Sequence, residues 1–436
     1  MLPSLWRESA RDVSRGALAQ RDLGSMRLKS LDPSLCSGHV ACMRNSLSLF
    51  SRQRLPGRSV VWGVAPMEGV TELPFRLWLS AISKPTFMWT PFLRVTDTFP
   101  GKSLPESFIP ELSGKMDAAP YALFPQLMGS RPEEIVRAAQ LFVEGSAHVD
   151  LNCGCPSPTV VGNKSGSSLL RSADEFRSFI SHCVSELGPG VLSVKMRLGY
   201  DSASEFVTLI DAIEDQPLKF LTVHGRSRPQ KYTGLADYSA IEYAAKRLHG
   251  RTPVIASGDV IGSTSKTKIL TECPSISAVI VGRGAIRNPS IFDGNEDLPI
   301  LKVLELYARM QLTWLRTKEA LYEWKYPKHH SLNDRLDASI LWLKKQNDLD
   351  FAFQEELSNQ NSRVLARTKM IWNYMRSSLD PVFFDGLILR SKTLQEFFEL
   401  ISIKIKQTPF SDGVMPLIEN DHYNWLYSGE KNPNPR

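Results

Sequence analysis

The 436-residue sequence is poor in cysteine. Six are present, at 36, 42, 153, 155, 183 and 273, in no repeating frame. A disulfide scaffold is therefore not expected, and reduced thiols in a cytosolic or organellar compartment fit better. No run of 18 apolar residues occurs, so neither a membrane-spanning helix nor a membrane partner is expected. The body of the chain also lacks a charge surplus. Residues 1–58 hold ten Lys and Arg against four acids, which accounts for the whole net charge of +6, and residues 59–436 sum to zero. Overall charge gives no argument for nucleic-acid binding, and any such surface must be a local patch.

The basic segment 1–58 is rich in Arg, Ser and Leu and has no long apolar core, which argues against a secretory signal. A mitochondrial or plastid transit peptide and a disordered extension with no targeting role both fit it. Cytoplasm and organelle are thus both candidate compartments. The remainder is globular in composition, with 42% hydrophobic and 22% charged residues across the chain.

Eight short apolar, β-branched runs recur from residue 60 onward. They are VVWGVA (60–65), TFMWT (86–90), YALFPQL (121–127), HVDLNC (148–153), VLSVKM (191–196), FLTVHG (220–225), PVIAS (253–257) and AVIVG (278–282). They are continuous rather than alternating, as parallel strands covered on both faces should be. Helical spacing fills several gaps, at 131–145, 173–188 and 203–215. Eight βα units in this span predict an α/β fold, a (β/α)8 TIM barrel over 59–297. A doubly wound sheet is the rival, but no GxGxxG follows the first strand. Helical periodicity at 300–324, 361–379 and 391–407 predicts a C-terminal helical domain over 298–408. A polar stretch near 326–348 reads as an inserted loop, and 409–436 as a loosely attached tail.

In such barrels, chemistry sits at the C-terminal strand ends. There the sequence offers Ala65, Pro66, Met67 and Glu68, then Gln126, Asn152 and Cys155, then Lys195 and Arg197, His224 and Arg226, Ser257, Gly258 and Asp259, and Gly282 and Arg283. For any one of these a structural role is the default, but convergence from seven strands is a poor fit to chance. The glycines of SGD and GRG let backbone approach a ligand, and the loops after strands seven and eight are the usual phosphate cradle of this fold, with Arg283 as a phosphate partner. Plain turn glycines and a surface arginine are the ordinary alternative. Lys195 lies in an apolar strand, which is costly unless an anion pairs with it; the alternative is a strand-end lysine reaching water. His224 is either a heterocycle's hydrogen-bond partner or a satisfied core histidine.

The pair in CGC is neither a zinc clip nor a thioredoxin-like pair. No second Cys or His pair of suitable spacing exists, so no metal site is expected, and the spacing is not C-x-x-C. Gly154 and Pro156 place Cys155 in the turn after the strand, whereas Cys153 ends the strand and packs as a small hydrophobe. A thiol of pKa ~8.5 can act as a general acid at neutral pH.

The segments APMEGVTELPFR (65–76), DLNCGCPSPTVVGNKSGSSLL (150–170), VKMRLGYD (194–201), VHGRSRPQKY (223–232), PVIASGD and VIVGRGA (279–285) match, in order and spacing, those of the flavin-dependent tRNA-dihydrouridine synthases. The chain most resembles their bacterial C-type branch. The resemblance covers 60–297 and continues more weakly through VLARTKMIWNYM (364–375). It implies FMN at the barrel mouth, NADPH or NADH as reductant, tRNA as substrate and a monomer. It implies that Pro66, Met67 and Glu68 approach the flavin, that Gln126 and Lys195 contact its ring with His224 close by, and that Ser257, Gly258, Asp259, Gly282 and Arg283 surround its phosphate. Ser257 stands where the family commonly has Asn. Cys155 matches the proton donor and Asn152 helps hold the uracil; Arg226 and Tyr232 are further substrate contacts. Position 16 of the D-loop is the uridine that the C-type branch suggests. Arg363, Arg367 and Lys369 are candidates for tRNA phosphate contacts. Two other readings stay open: an FMN barrel acting on a free pyrimidine or small enone, and an RNA-binding protein on a barrel that no longer catalyses.

Overall fold

A computed structural model describes residues 60–96, 110–112, 116, 119–146, 148–294, 297–328, 331–346, 348–360, 362–409 and 414–416. The expectations for residues 1–58, and for most of 409–436, lie outside the described residues.

All eight expected strands form. They are β1 (Val61–Val64), β2 (Phe87–Arg94), β3 (Ala122–Met128), β4 (Val149–Cys153), β5 (Leu192–Arg197), β6 (Leu221–His224), β7 (Val254–Ser257) and β8 (Ala278–Val281). Every neighbouring pair is parallel, and β8 pairs with β1 to close the barrel. Helices α1 (Leu73–Ile82), α2 (Pro132–Ser146), α3 (Ala173–Leu187), α4 (Phe206–Ile213), α5 (Tyr238–Arg247) and α6 (Ser263–Glu272) lie between them, and a short helix, α7 (Arg283–Arg287), follows β8.

Strand side chains alternate between two faces. Outward residues such as Leu151, Cys153, Val194, Met196, Val223 and Val279 join the large core beneath the helices. Cys153 is fully buried there, the packing role expected of it. Inward residues divide by height. A lower layer of Phe87, Trp89, Phe124 and Phe220 closes the barrel interior, with ring centroids 5.1–5.9 Å apart. Gly63 makes room for it: a Cβ there would stand 2.3 Å from the Phe87 ring. The His148 ring packs into this layer, 4.5 Å from Phe124 and 5.6 Å from Phe220, and the other polar inward residues described below lie above it.

The helical region comprises α8 (Ile300–Tyr322), α9 (Leu332–Lys344), α10 (Leu349–Ser358), α11 (Arg363–Met375) and α12 (Leu394–Ile405). The 326–348 stretch is therefore not an open loop. Its α9 starts at a Ser331 cap, whose Oγ accepts from the Asp334 N–H at 3.1 Å, and it buries Leu332, Leu336, Ile340 and Leu343. Arg335 of α9 donates to the carbonyls of Ala81 and Ile82 at 3.2 and 2.6 Å, capping the C-terminus of α1. Helix α10 was not expected either. Helix α1 is buried along its whole length, packed between the barrel and α8, and Trp78 Nε1 donates to the Val303 carbonyl at 2.8 Å. Within the expected tail, Val414–Pro416 pairs antiparallel with Asp297–Pro299 at the end of the barrel.

Arg76 of α1 and Glu111 form a fully buried bidentate pair at 2.6 and 2.8 Å, and Tyr121 donates to the same carboxylate at 3.0 Å. Removing one partner strands the other in the core. Glu111→Ala is expected to lower the unfolding free energy by about 3–5 kcal/mol in urea titrations. The Arg76→Met/Glu111→Leu double variant should be less destabilised than that single change; equal stability of wild type and Glu111→Ala would contradict the account.

Candidate active site at the barrel mouth

Strand register sets the polar inward residues side by side. Gln126 is opposite Asp150, Asn152 opposite Lys195, and Arg197 opposite His224, which in turn is opposite Ser257. The expected residues of β3 to β7 thus converge on one rim.

One fully buried polar group there stands outside the candidate residues named above, the Asp150 carboxylate. It accepts from Ser193 Oγ at 2.6 Å and from Gln126 Nε2 at 2.7 Å. Gln126 Oε1 accepts from Asn152 Nδ2 at 2.9 Å, and Asn152 Oδ1 accepts from the backbone N–H groups of Gly154 and Cys155, both at 3.0 Å. Burial lifts the Asp150 carboxyl to about 6, with Gln126, Ser193 and Lys195 opposing the rise, so the group stays predominantly ionised at pH 7. The period-two spacing of Asp150 with Asn152, and of Ser193 with Lys195, was the available signal for this inward face.

The Cys155 turn is held from three sides. Besides Asn152, Arg197 Nε donates to the Gly154 carbonyl at 2.8 Å, and the Ser167 N–H and Oγ donate to the Cys155 carbonyl at 3.2 and 2.8 Å. Gly166, with φ of +59°, fits closely because a Cβ would stand 3.1 Å from Cys155 Cβ. The downstream glycine and serines of the motif are therefore packing for this turn. Cys155 is half-buried, and burial pushes its thiol above the ordinary value, Glu68 adding to the rise while Arg197 and Lys195 oppose it. It is a protonated thiol at neutral pH.

Lys195 is partly exposed at the mouth and takes no hydrogen bond or ion pair from any described residue. Burial and the charge of Arg197 bring its ammonium down to about 8, so it is still mostly a cation at pH 7. His224 is held well below the usual histidine value by burial and by Arg197, Lys195, Arg226 and Arg283, and is neutral. Arg226 Nη1 stands 3.4 Å from His224 Nε2. A guanidinium only donates, so Nε2 accepts and the ring proton sits on Nδ1.

Four expected contacts have their charged groups engaged within the protein. Arg226 is buried, and its Nη2 is bound by Asp259 at 2.6 and 2.8 Å and by the Gly234 carbonyl at 2.6 Å. It ties down the loop after β6 instead of reaching outward. Asp259, at φ of +51°, also accepts from the Ala236 N–H at 2.6 Å, so its carboxylate faces that loop. Arg367 of α11 binds the Gly69 carbonyl and the Glu72 carboxylate, and Lys369 binds the Ser391 carbonyl. Arg363 stays exposed. At the rim, the Arg283 guanidinium lies 4.1 Å over the Tyr232 ring, and Tyr232 is 46% exposed. Pro66 and Met67 are half-buried and Glu68 exposed, in a loop where Thr71 both donates to the Met67 carbonyl and accepts from its N–H, each at 3.1 Å. Ser257 is buried at the end of β7, and Gly258 adopts φ of +137°, where a Cβ would stand 2.7 Å from Ala236 Cβ. Gly282 immediately precedes α7.

The tRNA-dihydrouridine(16) synthase of Haemophilus ducreyi is 32% identical over 269 residues, covering 60% of this chain and 78% of that protein. The protein of the same name from Yersinia pestis is 31% identical over 310 residues, covering 67% of this chain and 97% of that protein. That from Escherichia coli strain K12 is 35% identical over 236 residues, covering 52% and 73%. The sequence model of the family "Dihydrouridine synthase (Dus)" matches residues 63–369, from β1 into α11, and on that match the chain belongs to the dihydrouridine synthase family.

Proposed function

We propose that this chain reduces the C5–C6 double bond of a uridine in the D-loop of tRNA, with FMN as bound cofactor, NADPH or NADH as reductant and Cys155 as proton donor. The observation that carries this reading is Cys155 itself, a neutral thiol fixed at the C-terminal mouth of a closed parallel barrel. The names of the similar proteins point to position 16.

The mouth suits FMN. The Lys195 cation, left without a hydrogen-bonding partner among the described residues, needs an anionic or strongly accepting group. Lys195, Gln126 and His224, with Pro66, Met67 and Glu68 beside them, would hold the ring. Ser257, Gly258, Gly282 and Arg283 would hold the phosphate. Asp259 belongs to this group only indirectly, since its carboxylate would repel a phosphate and instead anchors Arg226. When bound, FMN supplies the hydride chemistry that no side chain can perform.

The chain's own residues do the rest. Asn152 keeps one amide N–H that its bond to Gln126 does not use, which suits a base carbonyl. Cys155 delivers its proton to C5 as charge builds there. Neutral His224 adds a donor without adding another charge. A uridine inside folded tRNA has to be turned out to reach this depth, at a cost of a few kcal/mol. The helical region, of which Arg363 is an exposed cation, is the surface we assign to the tRNA body.

Three outcomes are expected. Cys155→Ala should keep the flavin absorption band while turnover on tRNA falls roughly 10²–10⁴-fold, the usual worth of a positioned acid. Dihydrouridine at position 16 should vanish from the tRNA of cells lacking the protein and return with wild type but not with Cys155→Ala, read by mass spectrometry; unchanged dihydrouridine would sink the proposal. Second, burial raises the Cys155 thiol, so the donor form is present below its pKa and lost as pH rises through it. Single-turnover oxidation of reduced enzyme by tRNA should therefore hold through neutrality and fall only on the alkaline side of the ordinary thiol range; a fall already near pH 7 would contradict the assignment. Third, Lys195→Met should weaken FMN retention about ten- to a hundredfold, the worth of one charge-assisted hydrogen bond, measured by equilibrium dialysis.

A further inference from the structure

Asp150 has no place in the chemistry described above, yet it is the most buried carboxylate of the mouth, with no exposed surface. An ionised carboxylate can only accept, so the Gln126 amide must turn its nitrogen toward Asp150 and its oxygen toward Asn152. Asn152 must then turn its nitrogen toward Gln126 and its oxygen away. That oxygen meets two donors, the N–H groups of Gly154 and Cys155, at 3.0 Å each. Acceptor-only at one end and donor-only at the other, the line has a single orientation that satisfies every member. Each link measures 2.7–3.0 Å. Ser193 holds the second oxygen of Asp150 at 2.6 Å, so the anchor itself does not rotate. The line ends at the turn that carries Cys155, and Asn152, 8% exposed, is its member at the surface.

We infer that Asp150 is a positioning residue for the reaction: through Gln126 and Asn152 it fixes the turn that carries Cys155 and the amide that faces the base. This rests on the function proposed above but adds a residue that touches neither substrate nor cofactor. Asp150→Leu leaves the Gln126 nitrogen buried without its acceptor, and the line loses its fixed end. Asp150→Asn keeps it. The asparagine oxygen can face Gln126 while its nitrogen donates to Ser193 Oγ, whose hydroxyl then turns to the Val149 carbonyl 3.4 Å away.

The test uses the full-chain holoenzyme and separates its two half-reactions by stopped flow. Asp150→Leu should retain flavin and be reduced by NADPH at a rate within about threefold of wild type, while its oxidation by tRNA slows tenfold or more. Asp150→Asn should restore that step to within about threefold. Because Asp150 acts through Asn152, the loss should not add to that of Asn152→Ala: the double variant should be no slower than the slower single. A role in general stability would instead slow both half-reactions and add. The same cycle, read as the iodoacetamide alkylation rate of Cys155 in flavin-free protein, should show the same non-additivity without reference to turnover. If Asp150→Leu does not accumulate, Gln126→Met breaks the next link; because Gln126 also faces the flavin, it is read only in the alkylation cycle with Asn152→Ala in flavin-free protein, where the effects should again be non-additive. Additive effects, or wild-type tRNA oxidation in Asp150→Leu, would overturn the inference. A wild-type protein that holds no flavin, or leaves tRNA unreduced, would instead overturn the proposed function, and the alkylation cycle would still decide the role of Asp150.

Discussion

Eight strands running in one direction around a closed ring must all deliver their C-terminal ends to the same rim. Everything else in this molecule follows from that constraint. Alternation sends every second side chain inward, and the interior has to be filled. Phe87, Trp89, Phe124 and Phe220 fill its lower part, with the His148 ring packed against the last two, and the polar groups of the site lie above them. Gly63 is part of this division, since any side chain there would displace Phe87. A run of residues that is unremarkable in one strand thus becomes a site when seven neighbours end beside it.

Crowding so many ionisable groups under one rim sets their protonation. Burial acts on all of them, raising Asp150 and Cys155 and lowering Lys195, Arg197 and His224. For Cys155 the nearby cations pull the other way, but burial is the larger influence and Glu68 reinforces it. The result is a thiol and not a thiolate, which suits a proton donor and not a nucleophile. Asp150 keeps its charge at pH 7 chiefly through the hydrogen bonds from Gln126 and Ser193, with Lys195 adding to them, and Lys195, lowered by burial and Arg197 to about 8, stays mostly a cation.

Strands were legible because a parallel barrel strand is covered on both faces and reads as a short, mostly apolar run, its few inward polar residues gathering toward the C-terminal end. Helix α9 was not. Its buried face is carried by four aliphatic residues spaced among Asn, Asp and Lys, so the stretch reads as polar. Its anchor is Arg335, a charged residue whose burial has meaning only beside the free carbonyls of α1, more than 250 positions away in sequence. The intramolecular partners of Arg226 and Arg367 were hidden for the same reason. A single sequence shows that an arginine stands near a strand end or on a helix, but not that a carboxylate from another segment already occupies it. Asp150 was passed over in the opposite way. It lies inside the most distinctive motif of the chain, where the thiol and the amide draw attention and a neighbouring carboxylate reads as part of the strand.

The loop after β1 shows how the helical region bears on the site. Its Met67 is clasped by Thr71, the Thr71 carbonyl accepts from the buried Arg76, and Arg367 of α11 reaches the Gly69 carbonyl and Glu72. The Arg367–Glu72 pair is about one-third exposed on each side, so solvent screening leaves it little weight as a source of stability. Its value is geometric. A guanidinium that binds a carboxylate and a backbone carbonyl together fixes where the loop runs relative to α11. Helix α11 also packs against α7, directly after β8. The same helix therefore abuts the segments on both sides of the barrel's closing seam at its C-terminal rim, so a displacement of α11 has to act on Gly69 and on the segment that begins at Arg283 together.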